Sequence, residues 1–159
     1  MASLYLKFEG KGASGDLNGE VVRPTYKDQI EILSFSIGAS NAGGRPNAKD
    51  THAKGNAMVT PMTLYKVFGP ESPGLVKACL NGVIIAKATL TMDASSGKDS
   101  EVIVTYVMEH VIISDVSQSG SGGGSDRDIP ETISITFDKV TMTHVPSKKM
   151  ADYTMSTAQ

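Results

Sequence analysis

The chain has 159 residues, enough to bury a sizeable core in one domain. Hydrophobic residues make up 40% and charged residues 20%, ordinary for a soluble fold, and a formal net charge of -2 offers no electrostatic hold on nucleic acid. One cysteine, Cys79, excludes a disulfide framework and leaves almost nothing for a cysteine-built zinc site.

Residues 1–9 show no basic leader followed by an apolar stretch, so no secretory signal peptide is expected, and no run is long enough to span a membrane. The expectation is a chain made in the cytoplasm that, if exported, leaves by a route independent of such a signal. Leu4, Leu6 and Phe8 alternate with Tyr5 and Lys7 and predict a first strand. Residues 10–27 are polar and punctuated by glycine, a long loop. Residues 28–40 read as a second strand whose apolar phase switches: Ile30 and Ile32 share one face, Leu33, Phe35 and Ile37 the other. A bulge, or a strand serving two surfaces, would produce that switch. Residues 40–56 form another long loop, and loops of this length in a compact domain are functional or disordered.

Residues 57–68 are strand-like, and Pro61 within them argues for an edge or a bulge. A short helix follows, with Ser72 as N-cap, Pro73 in the first turn, Leu75, Val76, Cys79 and Leu80 as an apolar stripe, and Gly82 as the stop. In residues 83–92 the alternation sets Ile84, Ala86, Ala88, Leu90 and Met92 against Val83, Ile85, Lys87, Thr89 and Thr91. The last third is two long strand-like runs, 101–116 and 131–145, joined by a Ser/Gly segment. In the first run Val102, Val104, Tyr106, Met108, His110 and Ile112 fall on one face, almost wholly apolar, and Glu101, Ile103, Thr105, Val107, Glu109, Val111 and Ile113 on the other, a mixed one. That is more apolar surface than one modest barrel buries, and it points to a second face used for a partner, copies of itself included. The return run changes phase between Phe137 and Val140, which predicts a bulge near Asp138 and Lys139. Residues 146–159 are polar and expected to fray. The organisation is thus one mostly β domain over 1–145 with a short helix as satellite, then a flexible tail.

Chemistry is harder to find. His52, His110 and His144 are the three histidines, and the last two lie on strands that could pair, so a metal-dependent hydrolase is conceivable. No HxH or HExxH spacing completes such a site. Cys79 sits on an apolar stripe, where a buried structural thiol is the default. The glycine run at 120–124 lacks the following helix and the Gly-Lys-Ser/Thr close of a phosphate loop and reads as a flexible connection. The carboxylates in the last third, Glu109, Asp115, Glu131 and Asp138 among them, form no acid/base couple by local spacing and are expected mostly on solvated edges. No motif calls for a cofactor, a metal or a catalytic residue, so the reading is of a non-enzyme.

Four segments, in order, resemble the hemolysin-coregulated proteins (Hcp) of type VI secretion. They are the acidic–hydrophobic–Leu–Ser–aromatic–Ser–x–Gly strand ending in Leu33, Ser34, Phe35, Ser36 and Gly38, and the helix opening on Ser72, Pro73 and Leu75 and closing on Gly82. To these add Val111, Ile112, Ile113 and Ser114 leading into the Gly/Ser loop, and the final strand with Glu131, Ile133, Ile135 and Phe137. The resemblance implies a compact β-barrel of two antiparallel sheets with one helix packed on its side. It implies a homohexameric ring that stacks into a tube, works with spike and sheath proteins, and is expelled from the cell. Small effectors carried inside the ring are a further implication, and a cargo carrier without a main tube role is the alternative. On this reading the long loop with Asn41, Gly43, Gly44, Arg45, Pro46 and Asn47 is the candidate subunit or ring contact. Ser117, Ser119, Ser121 and Ser125 are the candidate lumen or cargo contact.

Overall fold

The alternating runs fold into one curled antiparallel sheet with a helix laid against it. The structure, a computed structural model, describes residues 2–41, 57–94, 101–122 and 128–155. In chain order it contains β1 (Ser3–Glu9), β2 (Ile30–Ile32), β3 (Ser34–Ser36), β4 (Ala39–Asn41), β5 (Ala57–Val59), β6 (Met62–Val67) and α1 (Ser72–Asn81). Then follow β7 (Ile84–Asp93), β8 (Val102–Gln118), β9 (Pro130–Thr136), β10 (Lys139–His144) and β11 (Lys149–Thr154). The large sheet runs β2-β1-β7-β8-β9-β6-β3, with β10 on β8 and β11 on β10, while β4 and β5 form a separate pair.

The phase switch in the second strand has a topological cause. β2 pairs with β1 and β3 pairs with β6, so the first and last strands of the sheet's path are successive pieces of one segment. Leu33 alone separates them, and its N–H is donated to the Tyr65 carbonyl at 2.7 Å. Ile30 and Ile32 are buried, Phe35 and Ile37 pack against the core, and Leu33 at the bend is 64% exposed. The expected barrel is therefore a sheet curled until its two margins meet in the chain at Leu33. A ladder between β2 and β3 is not among the described pairings. Pro61 falls between β5 and β6, where its missing N–H costs no ladder bond.

A second corner crosses three strands at once. The opposed residues Ala86 of β7 and His110 of β8 drop out of an otherwise continuous register, and His110 has φ 53. Asp138, between β9 and β10, sits on the other side of β8, donating its N–H to the Glu109 carbonyl at 3.0 Å. At this line the buried parity changes on every strand: from Ile85 to Ala88, from Met108 to Val111, from Phe137 to Val140. The change near Asp138 matches expectation. The unbroken alternation expected of residues 83–92 and 101–116 does not hold, because the paired strands bend at the corner together, in unchanged register, and direct both parities inward. Val111 and Ile113, expected on a second face, are core residues. Leu6, Ile30, Met62, Leu64, Ile85, Leu90, Met108, Ile133 and Ile135 complete the centre of that core. Burying each such side chain fully contributes about 1.5–3 kcal/mol.

The helix differs from expectation by one position at its start. Glu71, not Ser72, is the N-cap, and Ser72 is buried in the first turn with Pro73 behind it. Leu75 and Ala78 are the buried face, whereas Leu80 is 80% exposed. Gly82 ends the helix as expected, at φ 62, with its N–H on the Cys79 carbonyl. The helix lies so close to the turn Gly15–Leu17 that a Cβ on Gly74 would stand 2.4 Å from the Asp16 carbonyl oxygen. Part of the expected frayed tail of residues 146–159 is a strand: β11 pairs residue by residue with β10, from His144–Lys149 to Lys139–Thr154, while residues 156–159 lie outside the described residues. Its side chains are all exposed, so polarity of sequence was no sign of disorder but of a solvated hairpin strand.

Candidate assembly surface

The candidate contact residues fall in two places. Asn41 ends β4, exposed, paired with Ala57 of β5. Gly43, Gly44, Arg45, Pro46 and Asn47 lie outside the described residues. Ser117 is near the end of β8, opposite Thr132, and the Ser119 N–H reaches the Pro130 carbonyl at 3.2 Å. Ser119 and Ser121 are exposed, and Ser125 lies outside the described residues. The histidines are not brought together. His110 faces Asp138, with Nδ1 3.1 Å from Oδ2, while His144 pairs with Val104 at the far end of the β8–β10 ladder and holds Ser147 Oγ at 2.7 Å. His52 lies outside the described residues. Among the described residues no three His, Cys, Asp or Glu side chains gather as a metal requires. Cys79 is half-buried and packs against the core.

Two of the open depressions on the surface lie at the ends of the β3–β6 ladder. One, about 320 Å³, lies between the β4–β5 pair and the β10–β11 hairpin and is walled by Ile37, Val59, Tyr106, Val140, Met142 and Tyr153. Cross-strand pairing puts Tyr106, Met142 and Ala151 on one face, an apolar strip that the sequence placed correctly on the Tyr106 side. The other, about 170 Å³, lies at the opposite end of the β3–β6 ladder, between Val21, Leu33, Val67 and Phe68. Glu20 and Glu31 stand at its rim and Glu71 at its base, and no Lys or Arg lines it. Exposed Tyr65 neighbours Leu33, and the Phe68 N–H bonds the Ile129 carbonyl, so exposed apolar side chains continue around this cleft.

Beneath the second cleft is an ion cluster that the sequence did not disclose. Lys66 is 1% exposed, Glu71 3% and Glu131 2%. Lys66 Nζ lies 2.7 Å from Glu71 Oε1, bonds Glu131 Oε1 directly, and donates to the Val67 carbonyl at 3.0 Å. The Ser72 hydroxyl donates to Glu131 Oε1 at 2.9 Å and accepts the Gly69 N–H at 3.0 Å, and Gln118 donates to Glu131 Oε2. Glu131, expected on a solvated edge, is thus a core ligand of Lys66. The signal available was the alternation itself: Glu131, Ile133 and Ile135 share parity, so a glutamate in phase with core isoleucines has to be buried. A second cluster ties the 18–29 segment to the sheet. Tyr26 stacks on Tyr5 with centroids 4.1 Å apart and donates to buried Asp93 at 2.6 Å. Arg23 lies 3.6 Å from Asp93 and over the Tyr26 ring. A side-chain hydrogen bond with Tyr5 raises the Arg23 pKa above its ordinary value; burial opposes this and Asp93 adds to it.

Curled antiparallel sheet, satellite helix, open apolar depressions and structural ion pairs make the surfaces of this protein its candidate machinery. Residues 5–144 match the family model described as type VI secretion system effector, Hcp. The chain is 29% identical over 134 residues to protein hcp1 of Pseudomonas aeruginosa, covering 84% of this chain and 81% of that one. Its fold is similar to Hcp1 from Salmonella typhimurium (TM-score 0.74, 23% identity, 97% of this chain and 95% of that chain). It is also similar to a type VI secretion system effector from Yersinia pestis (TM-score 0.72, 21% identity, 96% and 99%). The chain belongs to the Hcp family of type VI secretion, the secreted tube and effector proteins of that system. No helix among the described residues is long and apolar enough to cross a membrane.

Proposed function

We propose that this chain is a structural tube subunit that closes into homohexameric rings. The rings stack, meet spike and sheath proteins, and leave the cell by a route independent of a signal peptide. The observation that carries the reading is the pair of separate open depressions at opposite ends of one strand ladder, on a member of the Hcp family. Two unlike surfaces on one chain suit a head-to-tail contact, which closes into a ring when the rotation allows. The role is structural rather than catalytic. Light scattering of the purified protein should give a hexamer-sized particle, and negative-stain micrographs should show rings; a strictly monomeric species at high concentration would refute the reading.

Carriage of small effectors within the ring is the second reading, favoured by the exposed Ser119 and Ser121 beside the end of β8. Ser117 and Ser125 belong to the same proposed contact. Ser121→Gln should weaken capture of an effector in a pull-down while ring formation persists, and unchanged capture would remove this segment from the contact.

A further inference from the structure

The cleft at the Leu33 end of the β3–β6 ladder sets carboxylates around an apolar lining. Val21, Leu33, Val67 and Phe68 wall it and Glu20 and Glu31 stand at its rim, neither of them in an ion pair among the described residues. Glu71 forms the floor. It is 3% exposed, and its Oε1 lies 2.7 Å from Lys66 Nζ. Its other oxygen, Oε2, accepts no hydrogen bond from the described residues, yet no wholly buried side-chain oxygen or nitrogen among them lacks a partner. Oε2 is therefore open, and the cleft is the space it opens into. Gly69, on the same lining, keeps it so: a Cβ there would stand 2.8 Å from Oε2.

Lys66 does not neutralise this set, because Glu131 shares it. A desolvated carboxylate oxygen with spare acceptor capacity, below two more carboxylates and between apolar walls, suits a cation on an apolar stem. Size narrows the choice. At about 170 Å³ the cleft is smaller than the roughly 300–1,000 Å³ that whole cofactors and drug-sized ligands occupy, and it has room for about one side chain. Arginine fits better than lysine. Its guanidinium is weakly hydrated, carries donors enough for Oε2 and a rim carboxylate at once, and stacks on aromatic faces such as that of Phe68, which is 41% exposed. The chain's own arginine among the described residues, Arg23, is already held by Asp93 and Tyr26. We infer that this cleft is the receptor for a single arginine side chain presented by a different protein. Glu71 Oε2 receives the guanidinium, Glu20 and Glu31 hold it at the mouth, and Leu33 and Phe68 cover its stem.

The test titrates acetyl-arginine methylamide, and its lysine and citrulline counterparts, into the full chain with labelled Val and Leu methyl groups. By NMR the arginine probe should shift the Val21, Leu33 and Val67 signals and saturate in the millimolar range, on the order expected for one side chain. The citrulline probe keeps the shape and loses the charge, and should bind at least about tenfold more weakly. Glu20→Gln/Glu31→Gln changes two exposed positions, so it should keep the wild-type melting temperature while weakening the arginine probe at least about threefold. Equal binding of arginine and citrulline, full affinity in the double variant, or shifts that spare all three signals would overturn the site. Equal binding of lysine would overturn the guanidinium assignment. In analytical ultracentrifugation the same double variant should behave as the wild type does. Assembly lost in the variant alone would make a second copy the donor and overturn the assignment to a different protein. The methyl signals report on the cleft whether or not the chain assembles, so failure of the tube reading and failure of this one are told apart.

Discussion

Lys66 has two carboxylates and two neutral oxygens around its ammonium and almost no contact with water. Its value is conditional: replacing the whole set by apolar groups of similar shape can be neutral, but removing one partner strands the others. Lys66→Met should cost about 3–5 kcal/mol in denaturant unfolding, because Glu71 and Glu131 lose their common counter-charge. A loss under about 1 kcal/mol would mean that the carboxylates find water, and the buried description would be wrong. Tyr26→Phe is a milder probe of the second cluster. It removes one hydroxyl from buried Asp93 and should cost about 1–3 kcal/mol by the same measurement, with the Tyr5 stack intact. Neither cluster was readable from residue type alone. Lys66 and Glu131 are 65 positions apart and Tyr26 and Asp93 67, so only the folded topology shows that they meet.

At the scale of elements, the line through Ala86, His110 and Asp138 decides how the sheet is used. A left-handed backbone costs a non-glycine residue roughly 1–2 kcal/mol, while an exposed histidine–carboxylate pair returns at most about 1 kcal/mol. His110→Gly should therefore unfold at the wild-type denaturant midpoint or above it, and His110→Val should fall clearly below both. If glycine and valine behave alike, the left-handed backbone is not at His110. Much of the element pattern was legible: the strands, the helix stop at Gly82, the phase change after Phe137, and a second strand serving two surfaces. The corner at Ala86 and His110 was not, because alternation along a strand reports parity and not which side is inside after a bend. The expectation of apolar surface left over for a partner came from that gap, since Val111 and Ile113, placed on the mixed face, cross to the interior. β11 escaped notice for the opposite reason, having no buried side chain to mark it.

For the whole molecule, exposed apolar side chains gather at both ends of the β3–β6 ladder, and Ile84 and Ile112 make a further exposed pair across β7 and β8. Deleting residues 43–50 should leave the melting temperature within a few degrees of wild type, since Pro46 and Ala48 are the only non-polar side chains that segment could bury. Ring or tube formation should be lost. Intact tubes after the deletion would remove the loop from the contact altogether. β11 presents a further margin, with one side on β10 and no partner strand on the other among the described residues. Lys149 and Asp152 place charges along it, a common guard against indiscriminate strand pairing.

The junction at Leu33 also dictates how the molecule can form. β2 must find β1 at one margin and β3 must find β6 at the other, and a single residue links the two events. The intervening strands bring Ser3 to Asp93 and Val67 to Pro130, so no local hairpin can zip the sheet shut from one end. The search for these distant partners sets the clock, and refolding from denaturant is expected on the order of milliseconds to seconds, the range of other non-local β folds. Stopped-flow refolding of Leu33→Pro, which cannot donate to Tyr65, should be slower still, because the last seam would lose the bond that draws it closed.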